Sequence, residues 1–157
     1  MKPSVAIVEA TSVAQLELVR ALFQSYQSEL PAACRFDDTE WQTLPGAYGP
    51  PRGVLLLATV ADHAAGCVGL RPFPLSGACE MKRLYVASDF RGQQLGATLI
   101  QRIILAARAL GYRHMRLDTH LATMGAAIAL YRSFGFVEVP SDPMPWVESL
   151  LYMELSL

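Results

Sequence analysis

From Met81 to Tyr112 the chain reads MKRLYVASDFRGQQLGATLIQRIILAARALGY: a strand pattern, a short polar turn and a long amphipathic helix. In the strand, Met81, Leu84 and Val86 break the two-residue alternation, because the step from 81 to 84 across Lys82 and Arg83 is odd. One extra residue there, a β-bulge, restores the alternation and bends the strand. The helix expected over Gly92 to Leu110 sets Leu95, Leu99, Ile103, Ala106 and Leu110 on one stripe, and Gly111 closes it. Such a stripe must be buried against another layer, so the bent strand and its helix belong to a sheet with helices packed on it.

The flanking segments extend this architecture. SVAIVEA (Ser4 to Ala10) is a short β-rich run. After it, Thr11 or Ser12 can cap a helix, Gln15 stands three or four residues on, and Leu16, Val19, Leu22, Phe23 and Tyr26 recur at helical spacing up to Leu30, before Pro31. Residues 31–53 are irregular apart from a turn or two at Asp38 to Leu44, and their aromatic content (Phe36, Trp41, Tyr48) marks an ordered, functional loop. VLLLATVADHAAGCVGLRPF reads as two strands joined by a turn at Asp62 to Ala65 that contains His63, and ACEMKRLYVA pairs with them as a third. RHMRLDTH is the next strand, MGAAIALYRSFGF a shorter helix ended by Gly135, and WVESLLYMELSL a closing strand. The order β-α-α-β-β-β-α-β-α-β defines a mixed α/β sheet with helices on its faces.

Composition excludes several classes of function. A chain of 157 residues is the size of one domain, taken here as 1–157, with no room for a second core. Although 52 % of the residues are hydrophobic, the longest apolar run, GVLLLATVA, falls well short of the about 20 residues of a membrane span. The segment MKPSVAIVEATS has no signal-peptide core, and Cys34, Cys67 and Cys79 lack metal-ligand spacing. These features imply a reduced, cytoplasmic protein without a disulfide framework or a metal. A net charge of −1 and no basic run longer than two residues argue against a nucleic-acid surface, leaving a small soluble partner as the expectation.

The turn RGQQLGA suits a phosphate, since a helix start exposes unpaired N–H groups and carries about half a positive charge. Gly92 and Gly96 permit close approach, Arg91 adds a cation and Thr98 a hydroxyl. A P-loop would need Gly-Lys-Ser/Thr at its end, and a dinucleotide fingerprint needs G-x-G-x-x-G near the first strand; both fit poorly. The turn instead resembles the acyl-CoA loop of the GNAT superfamily of N-acetyltransferases, Arg/Gln-x-x-Gly-x-Gly/Ala, read here as Arg91-Gly92-Gln93-Gln94-Leu95-Gly96. CEMKRLYVASDF before it and AIALYRSFGF after it match the family as well, so the resemblance spans about Gly53 to Phe136. Two departures stand out: Gln94 occupies the place of the first glycine, and Met124 that of an asparagine which contacts the cofactor in many members. At Gln94 a negative φ is harmless and a positive one strained.

The resemblance implies a mixed, mostly antiparallel sheet with a bulged, splayed central strand, and acetyl-CoA as acyl donor with no metal. Backbone N–H groups of Gln93, Gln94, Leu95, Gly96 and Ala97 would hold the pyrophosphate, with Arg91 and Gly92 at the entrance and the Thr98 hydroxyl nearby. Leu84, Tyr85 and Val86 would pair with the pantetheine arm as if it were a strand, one of their N–H groups polarising the thioester carbonyl. Tyr131 stands where the family often has a tyrosine that protonates the leaving sulfur, though its place on the stripe Met124, Ala127, Ile128, Tyr131, Phe134 also suits plain packing. Glu80 stands where some members activate the amine through water; pairing with Lys82 or Arg83 is its alternative. His120, at the end of RLDTH, is a second candidate base or substrate contact, with a solvated loop histidine as the favoured alternative, while Asp118 is expected to serve a turn or cap. The acceptor pocket is expected from Tyr26, Glu29, Arg35, Phe36 and Trp41 of the early segment and Pro140 to Ser149 of the late one, with Arg71 able to bind a carboxylate or form a surface ion pair.

The expected activity is acetyl transfer from acetyl-CoA to a primary amine of a small molecule or peptide by direct attack in a ternary complex, with no nucleic-acid or membrane partner and a homodimer left open. A non-catalytic acyl-CoA sensor and a nucleotide-binding domain of another type are the competing readings.

Overall fold

The computed structural model describes residues 3–121 and 125–157. The strands are β1 (Val5–Glu9), β2 (Val54–Val60), β3 (His63–Pro72), β4 (Ala78–Val86), β5 (His114–His120), β6 (Val137–Glu138) and β7 (Leu150–Ser156), and the helices α1 (Val13–Glu29), α2 (Thr39–Gln42), α3 (Leu95–Ala109) and α4 (Gly125–Ser133). All strands join one sheet in the order β1-β2-β3-β4-β5-β7-β6, antiparallel throughout except for the parallel pair β4/β5. The two-residue β6 carries too short a pattern to register in the sequence.

Local chemistry fixes the element ends. Ser12 accepts from the Gln15 N–H at 3.2 Å while the Gln15 side chain accepts from the Ser12 N–H at 3.1 Å, the reciprocal capping box that starts α1. The β2–β3 hairpin turns on Ala61 and Asp62, both at positive φ (48° and 67°), so the turn is tighter than expected and His63 is the first residue of β3. Helix α3 starts at Leu95 rather than Gly92, because Gly92 and Gln94 both take positive φ (80° and 62°).

Two apolar layers sandwich the sheet. Leu95, Leu99, Ile103 and Ala107 of α3 pack with Tyr131 of α4 on Leu56, Val68, Leu70 and Met81. On the other face Val19, Leu22 and Phe23 of α1 pack with Tyr48 on Leu55, Leu57, Cys67 and Tyr85. Alternate residues of β2 therefore serve opposite cores, which is why its sequence is a continuous apolar run.

The bulge read from the broken alternation is present. Cys67 pairs with Tyr85 and Gly69 with Lys82, so Val68 alone faces Arg83 and Leu84, and Arg83 takes a φ of 59°. The extra residue returns Leu84 to the α3 side, against the same core as Met81. The parallel ladder between β4 and β5 covers only Ala78 to Glu80 with His114 to Arg116, after which the two strands part.

Candidate active site

Beside the end of β4 a groove of about 790 Å³ opens. Leu84, Tyr85 and Val86 form one wall, Ala126, Ala127 and Leu130 of the α4 segment the other, and Tyr26, Glu29, Leu30 and Pro31 close one side. The turn and helix start line it with Phe90, Arg91, Gly92, Gln94, Leu95, Gly96 and Ala97. The first helical bond of α3 runs from the Thr98 N–H to the Gln94 carbonyl at 3.1 Å. The N–H groups of Leu95, Gly96 and Ala97 precede that bond, so they are the unpaired donors of the helix start.

The turn differs in detail from its expected form. Gln94 sits in the left-handed region as the N-cap of α3 and makes no side-chain cap bond. A side chain there costs about 1–2 kcal/mol relative to glycine's freedom. Thr98 does not line the groove, and its Oγ1 donates to the Gln94 carbonyl at 3.1 Å. Gln93 does not line the groove either.

Arg91 is held from two sides, donating from Nε to the Val86 carbonyl at 2.9 Å and from Nη2 to Glu29 Oε1 at 2.7 Å. The Tyr85 hydroxyl donates to the other oxygen of Glu29. Burial works against the Glu29 carboxylate, but the bonds from Tyr85 and Arg91 outweigh it and hold its pKa below the ordinary value. Burial and the same carboxylate push the Tyr85 phenol up to about 12. Glu29 therefore lines the groove beside Arg91 and Tyr85.

A smaller cavity of about 90 Å³ adjoins the groove; Tyr26, Leu30, Leu84 and Ala127 line both. Tyr131 faces it from α4, more than nine-tenths buried, and among the described residues its hydroxyl has no hydrogen-bond partner. Burial, with smaller contributions from Tyr26 and Asp118, holds the phenol well above its ordinary pKa. His120 lines the cavity, its Nδ1 3.4 Å from Cys34 Sγ. Lys82 and Asp118 also line it and pair across the gap between β4 and β5, Nζ to Oδ2 at 3.2 Å. Asp118 is no cap: it lies within β5 opposite Tyr152, on the face shared with His120. Cys34, Lys82 and Asp118 were invisible as site residues because only the parting of β4 from β5 exposes that face; for Lys82 and Asp118, strand parity was the one available signal.

Glu80 and Arg71 line neither the groove nor the cavity. They are cross-strand partners, Arg71 Nε donating to Glu80 Oε1 at 2.9 Å, with a further contact from Arg71 to Glu40 at 3.9 Å. Glu40 in turn takes Arg83 through Nε at 2.6 Å and Nη2 at 3.0 Å, and the Arg83 guanidinium lies 3.8 Å from the Phe36 ring centroid. Glu80 is thus committed to Arg71, not to Lys82 or Arg83, and Arg71 to carboxylates of its own chain. Met124 lies outside the described residues. Among the described residues, no group of three His, Cys, Asp or Glu is placed to hold a metal ion, and no helix is long and apolar enough to cross a membrane.

The site is thus a groove and an adjoining cavity beside a sheet whose β4/β5 ladder is short, and comparison with known proteins identifies the class. The acetyltransferase (GNAT) family model matches residues 16–136. An uncharacterised N-acetyltransferase of Schizosaccharomyces pombe is 39 % identical over 165 residues, covering 100 % of this chain and 98 % of that protein. An IAA acetyltransferase of Azospirillum brasilense is 35 % identical over 83 residues, 53 % of this chain and 54 % of that one. Among solved structures, a GNAT acetyltransferase of Staphylococcus aureus superposes with a TM-score of 0.81 at 18 % identity over 98 % of this chain and 99 % of that one. The PaiA N-acetyltransferase of Thermoplasma acidophilum, in complex with coenzyme A, gives 0.76 at 18 % identity over 98 % and 99 %. The chain belongs to the GNAT acetyltransferase family and is an acyl-CoA-dependent N-acyltransferase.

Proposed function

We propose that the enzyme transfers an acetyl group from acetyl-CoA to a primary amine of a small molecule or a peptide, by direct attack with both substrates bound. The observation that carries this reading is that Tyr26, Leu30, Leu84 and Ala127 line both groove and cavity, which gives donor and acceptor separate, adjacent spaces. The N–H groups of Leu95, Gly96 and Ala97 suit the pyrophosphate. The edge of β4 past Glu80, left without a strand partner by the parting of β5, suits the pantetheine amides. A thioester lying against Leu84 then reaches the cavity beside Tyr131.

In this arrangement the neutral amine attacks the thioester carbonyl from the cavity, a β4 N–H steadies the developing oxyanion, and Tyr131 gives its proton to the departing thiolate. His120, which lines the cavity, is the group assigned to take the amine's proton. Glu80, bound to Arg71, has no part in it. The coenzyme A complex of the Thermoplasma acidophilum relative supports the donor site, and the names of the acetyltransferase relatives support the transferred group.

Release of CoA, followed across a panel of primary amines, tests the reading. Tyr131→Phe is expected to lower turnover on any accepted amine by about 10²-fold while binding of acetyl-CoA persists. Binding without turnover on any amine would replace the enzyme with a non-catalytic acyl-CoA sensor.

A further inference from the structure

The cavity holds a nucleophile that amine acetylation does not use. Cys34 ends the helical turn Ala32–Cys34, and its Sγ lies 3.4 Å from Nδ1 of His120, a residue 86 positions away at the end of β5. A thiol within reach of an imidazole is the arrangement that activates a cysteine. Both line the cavity that also holds Tyr131, nine-tenths buried and with no described partner for its hydroxyl. The other two cysteines are built differently. Cys67 and Cys79 are fully buried and donate to the backbone carbonyls of Arg83 and His114. Burial pushes both of their thiols up, that of Cys79 to about 12.

We propose that Cys34 is an autoacylation site: when no amine occupies the cavity, its thiol accepts the acetyl group of bound acetyl-CoA, with His120 as base. The proposal rests on the acetyl-CoA reading of the groove. His120 takes the thiol proton, and the Cys34 thiolate attacks the thioester carbonyl. The new C–S bond forms, the C–S bond to CoA breaks as the oxyanion collapses, and the proton passes from His120 to the departing CoA thiolate. One alkyl thioester is exchanged for another, so free CoA reverses the step and the acylated fraction follows the ratio of acetyl-CoA to CoA. In a cavity of about 90 Å³, an acetyl group on Cys34 fills the place of the incoming amine. Acylation of Cys34 therefore holds off the acceptor until CoA removes it.

The test is intact-protein and peptide mass spectrometry of the whole chain after incubation with acetyl-CoA alone, with the thermal shift by acetyl-CoA measured in parallel. The expected result is one acetyl group on Cys34, released by neutral hydroxylamine and by excess CoA, and absent from heat-denatured protein, from Cys67 and from Cys79. Cys34→Ala is expected to lose the adduct and keep the thermal shift, and His120→Asn to form it about 10²-fold more slowly. A thermal shift with no adduct on Cys34, or an adduct whose rate His120→Asn leaves unchanged, overturns the proposal while leaving the acetyltransferase reading intact. Absence of both shift and adduct overturns the two together.

Discussion

At Gln94 the residue departs from the family pattern while the backbone keeps a glycine-like angle. Its φ of 62° is the conformation for which the expected glycine is suited, and α3 begins immediately after it. Gln94→Gly is expected to stabilise the fold by about 1 kcal/mol, less than the full left-handed penalty because glycine is more flexible when unfolded. Thermal unfolding checks this, and an unchanged or lower Tm contradicts it. Glu29 sets a pH dependence of known sign. Its pKa is lowered on folding, so its contribution is fully present above the ordinary carboxylate value of 4.5 and is lost as the pH falls through the folded value. The Tm difference between wild type and Glu29→Gln is therefore expected to be larger at neutral pH than in acid. A gap that grows on acidification would show that the clasp on Arg91 and Tyr85 is not what holds the carboxylate.

The bulged strand β4 was legible because two neighbouring basic residues forced an odd step between apolar positions, a pattern that regular alternation cannot produce. What parity alone did not show is how the bulge is held. Arg83 keeps its positive φ while its guanidinium binds Glu40 of α2 with two hydrogen bonds and covers Phe36, tying the irregular early segment to the sheet. Breaking a largely buried pair from one side leaves the other charge stranded. Arg83→Met is expected to cost about 3 kcal/mol, read by chemical denaturation, whereas a loss below about 1 kcal/mol would mean that the bulge is set by the sheet alone. Glu80 illustrates the opposite case. Its position in the strand was read correctly, but its partner was not: antiparallel register with β3 sets Arg71 beside it, and that register depends on the whole hairpin.

At the scale of the molecule, the order of elements apart from β6 and the sheet with helices on both faces followed from periodicity, capping residues and glycine placement. Leu84, Tyr85, Val86, Leu95, Gly96 and Ala97, which line the groove, were singled out through the family resemblance of the bent strand and the turn after it. The cavity was not. It arises where the β4–β5 ladder stops after three pairs, which brings Cys34, Lys82, Asp118 and Tyr131 together from four separate segments. Side chains that meet only through such a gap leave no short-range signal. The central claim is that the groove receives acetyl-CoA with its pyrophosphate on the start of α3. Thermal unfolding of wild type and Gly96→Trp with and without acetyl-CoA tests it most directly, because a Cβ at Gly96 meets only ordinary contacts with Val86 and Leu130 while an indole would obstruct the groove. At a ligand concentration of about 100 times Kd, the wild type is expected to gain about 2.7 kcal/mol, a Tm rise on the order of 5–10 °C, and Gly96→Trp to gain none. No rise in the wild type, or an equal rise in both proteins, would contradict the account.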